Sequence, residues 1–185
     1  MHTPYIWKRF KQTFGTPDKF PPIVPVLIGD NDRDEEKEVG KVFAPYLKDP
    51  ENAFIISSDF CHWGSRFSYT VYSPESDPSK LKELKLSNRV PDGPPIHETI
   101  RLVDEAAMDA VTSGSHDAFV DNLRLTGNTV CGRHPIGVAM AALEHVARED
   151  GKELRKFNIL RYERSSLVES PADSSVSYVS AYAAL

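Results

Sequence analysis

Two short clusters contain most of the side chains that could bind a metal or move a proton. The first includes Asp59 and His62, three positions apart in the segment SSDFCHWG. In a tight turn, both side chains would reach a common ligand, metal ion or proton. An aspartate that caps the turn and hydrogen-bonds the histidine would have the same spacing. The spacing alone therefore leaves a functional and a structural role open.

The second cluster, NTVCGRHPIG, contains Cys131, Arg133 and His134 directly before a predicted helix. A helix N-terminus and a nearby guanidinium create a positive field, which favours the thiolate form of Cys131, the form that binds metals or attacks carbon. The alternative is a small buried cysteine. Arg133 either holds an anionic group of a ligand or fixes the start of the helix. His134 is either a ligand or a residue that begins the helix.

Other candidate residues fit structural roles. Cys61 adjoins the first cluster, but neighbours in an extended segment point in alternate directions, so we expect its thiol in the core. His116, like His97 and His145, is isolated in or beside a predicted helix and is expected at the surface. The acidic run from Asp32 to Glu38 is predicted to be a solvated first turn of a helix.

The apolar spacing predicts an α/β fold that would position both clusters. Helical stripes occupy residues 32–48, 96–111 and 133–150, and short apolar runs at 23–28 and 53–56 are typical of buried strands. A strand, a helix and a strand in succession predict a crossover in a largely parallel or mixed sheet. The first cluster would then follow a strand's carboxyl end, where ligands collect in such sheets.

Composition and charge exclude several classes of protein. The 185 residues are 40% apolar and 26% charged, which favours one globular domain. A net charge of -5 argues against a broad nucleic-acid surface. Two cysteines are too few for a disulfide framework or a thiolate-only zinc site, and the apolar runs are far shorter than a membrane span. We expect an intracellular protein, cytoplasmic and also nuclear, with an exposed insertion at 73–95.

Four motifs identify a resemblance to a known family. SSDFCHWG, CGRHPIG, PVLIG and DSSVSY occur in an order that resembles the Memo family, named for a mediator of receptor-tyrosine-kinase-driven cell motility. The resemblance covers essentially the whole chain except 73–95. It implies a three-layer αβα fold similar to the class III extradiol dioxygenases, with a pocket at one sheet edge that binds iron or copper.

The resemblance also implies a ligand set. Family members hold the metal with two histidines from the first half of the protein and with the cysteine that matches Cys131, while Asp59 and His62 line the same pocket. The first residues, MHTPY, are similar to the end of a family motif, and the HAGY and SHH motifs that carry the two histidines do not occur in this chain. We therefore expect residues 1–185 to be the C-terminal portion of a single Memo-like domain, with little activity alone.

Three functions remain open at this point, and with them whether the chain is an enzyme. The first is a metal-binding redox or signalling protein in which Cys131, His62 and Asp59 are ligands or catalytic groups, with Arg133 and His134 contacting the cofactor. The second is a non-catalytic adaptor that binds a phosphorylated peptide or signalling protein. The third is a cysteine hydrolase with Cys131 as nucleophile, His62 or His134 as base and Asp59 as orienting acid.

Overall fold

The computed structural model describes residues 2–87, 89 and 92–184, which form two compact units that divide after Asp30. The first unit contains helix α1 (Thr3–Phe14) and a 3-10 turn at Pro17–Lys19. None of the α1 residues is buried. Aromatic side chains hold this unit together, since the Phe20 ring packs edge-on against Trp7 and Phe10 at centroid distances of 4.9 and 5.6 Å.

The described residues of the second unit form four α-helices and five strands. The helices are α2 (Arg33–Lys48), α3 (Ile96–Ser113), α4 (His116–Thr126) and α5 (Arg133–Asp150). The strands are β1 (His62–Trp63), β2 (Val71–Tyr72), β3 (Lys82–Glu83), β4 (Asn158–Arg164) and β5 (Ser175–Tyr182). One antiparallel sheet has the order β1-β5-β4, and β2 pairs with β3 in a second.

The helices begin and end where local chemistry predicts. Asp32 caps α2, because its carboxylate accepts hydrogen bonds of 2.9 Å from the amides of Asp34 and Glu35, and the Glu35 side chain returns to the Asp32 amide. Helix α5 ends at Gly151, whose φ of 62° suits a residue without a Cβ. The predicted helices at 32–48, 96–111 and 133–150 are thus confirmed.

The predicted parallel crossover is wrong for the described residues. Neither 23–28 nor 53–56 forms a strand, and every strand pair present is antiparallel. A run of β-branched residues becomes a strand only when a neighbour accepts and donates its ladder hydrogen bonds, and neither segment has one here. Most of their apolar side chains are exposed instead, with 80% exposure at Val24, 98% at Leu27 and 58% at Ile55. The mixed α/β class is nevertheless confirmed.

Helix α3 joins two apolar clusters that form the core of the second unit. Ile100 and Val103 pack with Trp63 near β1, whereas the later turns of α3 pack with Phe119 of α4 and Met140 of α5. The segment 73–95 is not wholly exposed, because β3 pairs with β2 and Leu84 is buried. Residues 88, 90 and 91 of that segment lie outside the described residues.

Among the helices of the described ranges, none combines the length and the apolar character needed to cross a bilayer.

Candidate metal centre

Two loop segments, 57–62 and 128–132, lie side by side at the start of α5. The Cys131 amide donates to the Asp59 carbonyl at 3.3 Å, and the Gly132 amide donates to Ser58 Oγ at 2.9 Å. In the opposite direction, the Asp59 amide donates to Cys131 Sγ at 3.0 Å. These hydrogen bonds fix the cysteine of the second sequence cluster against the aspartate of the first.

The predicted ligands Asp59, His62 and Cys131 come together at this junction. One ligand atom from each lies within 4.8 Å of the others, and Asp59 Oδ2 is 3.6 Å from His62 Nε2. Asp59 and His62 are half-buried, whereas Cys131 is exposed. The two sequence clusters therefore contribute to a single accessible group of oxygen, nitrogen and sulfur donors.

Thr129 sets the orientation of the imidazole of His62. His62 Nδ1 lies 3.0 Å from the Thr129 carbonyl, which can only accept, so the ring proton resides on Nδ1. The Thr129 hydroxyl also accepts from the His62 amide at 2.7 Å and donates to the His62 carbonyl at 3.1 Å. As a result, Nε2 faces Asp59, and the Phe67 ring packs against the imidazole in an edge-to-face arrangement.

The absence of a side chain at Gly132 permits the close approach of the two segments. A Cβ at this position would lie 2.5 Å from the Ser57 carbonyl oxygen and 2.7 Å from Ser58 Oγ. Neither of these atoms is the end of a long flexible side chain, so any larger residue would push the segments apart. The distance between Asp59 and Cys131 therefore depends on this glycine.

Comparisons with known proteins assign the chain to a family. A family model described as "Memo-like protein" matches residues 1–182. The chain belongs to the Memo family. It is 38% identical over 178 residues to Protein MEMO1 of Mus musculus, covering 96% of this chain and 52% of that protein.

Relatives from yeast and a nematode agree with this assignment. The chain is 39% identical over 176 residues to the MEMO1 family protein MHO1 of Saccharomyces cerevisiae, covering 86% of this chain and 51% of that protein. It is 40% identical over 158 residues to the Protein memo-1 homolog of Caenorhabditis elegans, covering 85% of this chain and 40% of that protein. The chain thus spans about half the length of the curated relatives it matches, or less.

The donor set of this Memo-family chain fits a transition metal. Thiolate and imidazole ligands suit copper and iron, and three protein ligands leave coordination positions open. Bonds of roughly 2.0–2.3 Å in a tetrahedral arrangement place ligand atoms about 3.3–3.7 Å apart. The separation of 3.6 Å between Asp59 Oδ2 and His62 Nε2 falls in that interval. A histidine that donates its other ring proton to a backbone carbonyl is also the usual arrangement for a metal ligand.

In this Memo-family chain, Arg133 and His134 belong to a hydrogen-bonded group around Glu36 of α2. His134 Nδ1 donates to Glu36 Oε1 of α2 at 2.7 Å, and Arg133 Nε donates to His134 Nε2 at 3.0 Å. His116 Nε2 donates to the second oxygen of Glu36 at 2.6 Å. The predictions of a surface His116 and a solvated Glu36 are wrong, because both are buried. One carboxylate that accepts from two imidazoles explains how these polar groups are tolerated inside.

Asp104 of α3 is a second buried acid that the sequence analysis missed. It is fully buried and accepts from the Cys61 amide at 3.0 Å, Asn128 Nδ2 at 3.1 Å and the Tyr162 hydroxyl at 2.9 Å. Burial raises the pKa of its carboxyl, although these hydrogen bonds oppose the rise. One signal was present in the sequence, because Asp104 interrupts the apolar stripe of α3 four positions after Ile100.

The two cysteines of this Memo-family chain have opposite surroundings. Cys61 is fully buried, as predicted, and burial together with the nearby Asp104 carboxylate raises the pKa of its thiol well above the ordinary value. Cys131 is exposed and receives the Asp59 amide hydrogen. Of the two sulfurs, Cys131 is therefore the one that a metal ion or reagent can reach.

Proposed function

We propose that this chain contributes the Asp59, His62 and Cys131 ligands of an iron or copper centre in a Memo-family redox or signalling protein. The observation that supports this most directly is the convergence of the three donor atoms to within 4.8 Å of one another. The ligands come from two segments, separated by about 70 positions in sequence, that backbone hydrogen bonds lock together.

Each ligand has a separate role in the proposed centre. Cys131 supplies a sulfur donor, and the Asp59 amide fixes its position by donating to Sγ at 3.0 Å. His62 presents Nε2 because the Thr129 carbonyl holds its proton on Nδ1. Asp59 adds an anionic oxygen on the same side. When bound, iron or copper supplies one-electron exchange, which none of these side chains provides reversibly by itself.

The scope of the proposal follows from the length of the match. The chain spans about half of the mouse and budding-yeast relatives, so the activity of a whole Memo protein is not assigned to it. For the complete family domain we extend the proposal to a three-layer αβα arrangement like that of the class III extradiol dioxygenases. Within the present chain, the assignment concerns the three donors and their accessible position.

The first prediction concerns metal binding by the purified chain. We expect anaerobic titration with Co²⁺ to produce a thiolate-to-cobalt charge-transfer band, and competition with a chromogenic chelator to show Cu⁺ binding. Cys131→Ala should abolish the band and weaken Cu⁺ binding at least about 100-fold, since even outer-shell changes cost roughly 10–100-fold. His62→Ala should weaken binding while retaining the sulfur band.

A matched variant controls for indirect effects. His145→Gln removes an imidazole from α5, and this residue does not belong to the donor group, so the variant should bind as the unmodified chain does. The proposal fails if the unmodified chain develops no charge-transfer band. It fails equally if Cys131→Ala retains unmodified metal affinity.

A further inference from the structure

The two segments that carry the proposed ligands share an anchor in α3. A single oxygen of Asp104, Oδ1, accepts from the Cys61 amide at 3.0 Å and from Asn128 Nδ2 at 3.1 Å. Cys61 lies between Asp59 and His62 in sequence, and Asn128 lies three positions before Cys131. One buried atom of α3 is therefore bonded to both ligand-bearing segments.

The rest of the surroundings hold this carboxylate in place. Asp104 Oδ2 accepts from the Tyr162 hydroxyl of β4 at 2.9 Å, and Asn128 Nδ2 also donates to the Val103 carbonyl at 3.3 Å. Asn128 Oδ1 is buried and has no hydrogen-bond partner among the described residues. The Asn128 side chain is thus oriented by its amino group alone, and that amino group is directed at α3.

We propose that Asp104 is a positioning residue that sets the spacing between the Asp59–His62 segment and the Cys131 segment. This inference rests on the proposed metal centre and adds a residue that is bonded to the ligand-bearing segments through the Cys61 amide and the Asn128 side chain. With Oδ1 removed, the Cys61 amide and the Asn128 amide would each lose a buried acceptor. The two segments would then relax separately, and the three donors would no longer converge on one ion.

The amide variant separates geometry from charge. In Asp104→Asn, Oδ1 still accepts from Cys61 and Asn128, while the new amino group donates to the Tyr162 hydroxyl oxygen, which can accept. In Asp104→Leu, no acceptor remains. A role in positioning therefore requires that Asp104→Asn retain metal binding and that Asp104→Leu weaken it.

The test uses the full chain and Co²⁺ as the probe. We expect Asp104→Leu to weaken Co²⁺ binding roughly 10- to 100-fold, the range typical for groups that orient metal ligands. Its thiolate-to-cobalt band should also lose intensity at saturating cobalt. Asp104→Asn should bind within about threefold of the unmodified chain and give the same spectrum, because it preserves both hydrogen bonds on Oδ1.

Thr99→Val is the matched control for a general loss of stability. Thr99 lies on the same helix, is buried, and accepts a hydrogen bond from the Ser73 amide at 3.0 Å, well away from the ligand segments in sequence. Its variant should lose stability without changing the cobalt spectrum. If Asp104→Leu does not fold, Asn128→Ala is used in its place, because it removes the bond between Asp104 and the Cys131 segment.

The outcomes distinguish this inference from the proposed function. Absence of a cobalt band in the unmodified chain would overturn both. A normal band in the unmodified chain together with unmodified spectra in Asp104→Leu, or in Asn128→Ala, would overturn the positioning role alone. A spectrum altered equally by Thr99→Val and by Asp104→Leu would also overturn it, since the effect would then report only weakened packing.

Discussion

At the scale of single residues, Asp104 makes stability depend on pH in the direction opposite to that of an acid whose pKa is lowered on folding. Burial raises the pKa of this carboxyl above its usual 3.8 in the folded state. Between those two values, the folded chain keeps a proton that the unfolded chain releases. The free energy of unfolding therefore falls as the pH rises through this interval.

The prediction is that Asp104→Asn removes this contribution. The free energy of unfolding of the variant minus that of the unmodified chain should increase as the pH rises from about 3.8, by at most about 1.4 kcal/mol per pH unit for one proton. Urea denaturation across a pH series measures the difference. Parallel curves for the two proteins would show that the Asp104 carboxyl titrates as it does in the unfolded chain.

The motifs in the sequence identify three donor residues that lie together in the structure, but not the residues that support them. Asp59, His62 and Cys131 stand in short motifs whose chemistry is visible from residue type and spacing. Asp104 and Glu36 could not be assigned in this way, because a carboxylate within a helix is usually solvated. Whether it is buried depends on donors that are distant in sequence, such as Asn128 for Asp104. Only the folded chain shows which donors reach it.

At the scale of elements, helices α2 and α5 pack closely through two glycines. A Cβ at Gly40 would lie 2.8 Å from the Ala141 Cβ, and one at Gly137 would lie 2.7 Å from Glu36 Cδ. The contact at Gly137 leaves less room for adjustment, because the Glu36 carboxylate also accepts hydrogen bonds from His116 and His134. The space above Gly137 is therefore filled by a side chain that is already fixed by two hydrogen bonds.

We expect Gly137→Ala to destabilise the chain by about 1–3 kcal/mol, the usual cost of overpacking. At a helical position with open space, the same substitution would instead stabilise the chain by up to about 1 kcal/mol. Chemical denaturation gives the value. In a Glu36→Ala background the clash disappears, so the same substitution should cost less there, and a double-mutant cycle measures the coupling. A stabilised Gly137→Ala variant would contradict this account of the packing.

Helices were predictable from sequence, whereas strand pairing was not. The apolar stripe of α3 and the cap at Asp32 are local features, so they define their helices without reference to the rest of the chain. The runs at 23–28 and 53–56 have the composition of strands. A strand also needs a neighbour that forms hydrogen bonds with it, and that neighbour can be far away in sequence. The antiparallel pairing of β5 with β1 depends on such a remote partner, because His62 lies opposite Val176.

At the scale of the whole molecule, apolar side chains remain exposed in both compact units. Leu27 is 98% exposed in the first unit, and Ile55 is 58% exposed in the second. Each lies in a segment where several neighbouring apolar residues are also exposed, whereas Leu125 is an exposed apolar residue on α4. Contiguous exposed apolar surface of this kind binds apolar dyes and promotes association.

The corresponding prediction is that the folded chain binds the dye ANS. Leu27→Lys and Ile55→Lys should each lower the fluorescence of the bound dye, because a charge interrupts the apolar segment. The far-ultraviolet circular dichroism should be unchanged. Leu125→Lys serves as the control and should have a smaller effect. Equal fluorescence in all four proteins would mean that these segments do not form accessible apolar surface in solution.

The shared carboxylate of Glu36 also bears on how the chain folds as it leaves the ribosome. Its partners His116 and His134 are synthesised 80 and 98 residues later. At about 5–20 residues per second, that interval lasts roughly 4–20 s. Throughout that time, α2 lacks the α5 surface on which it packs, and Glu36 stays hydrated. Docking of α2 is therefore a late event in biosynthesis, and a nascent chain that stops before α5 exposes the apolar side of α2 to chaperones.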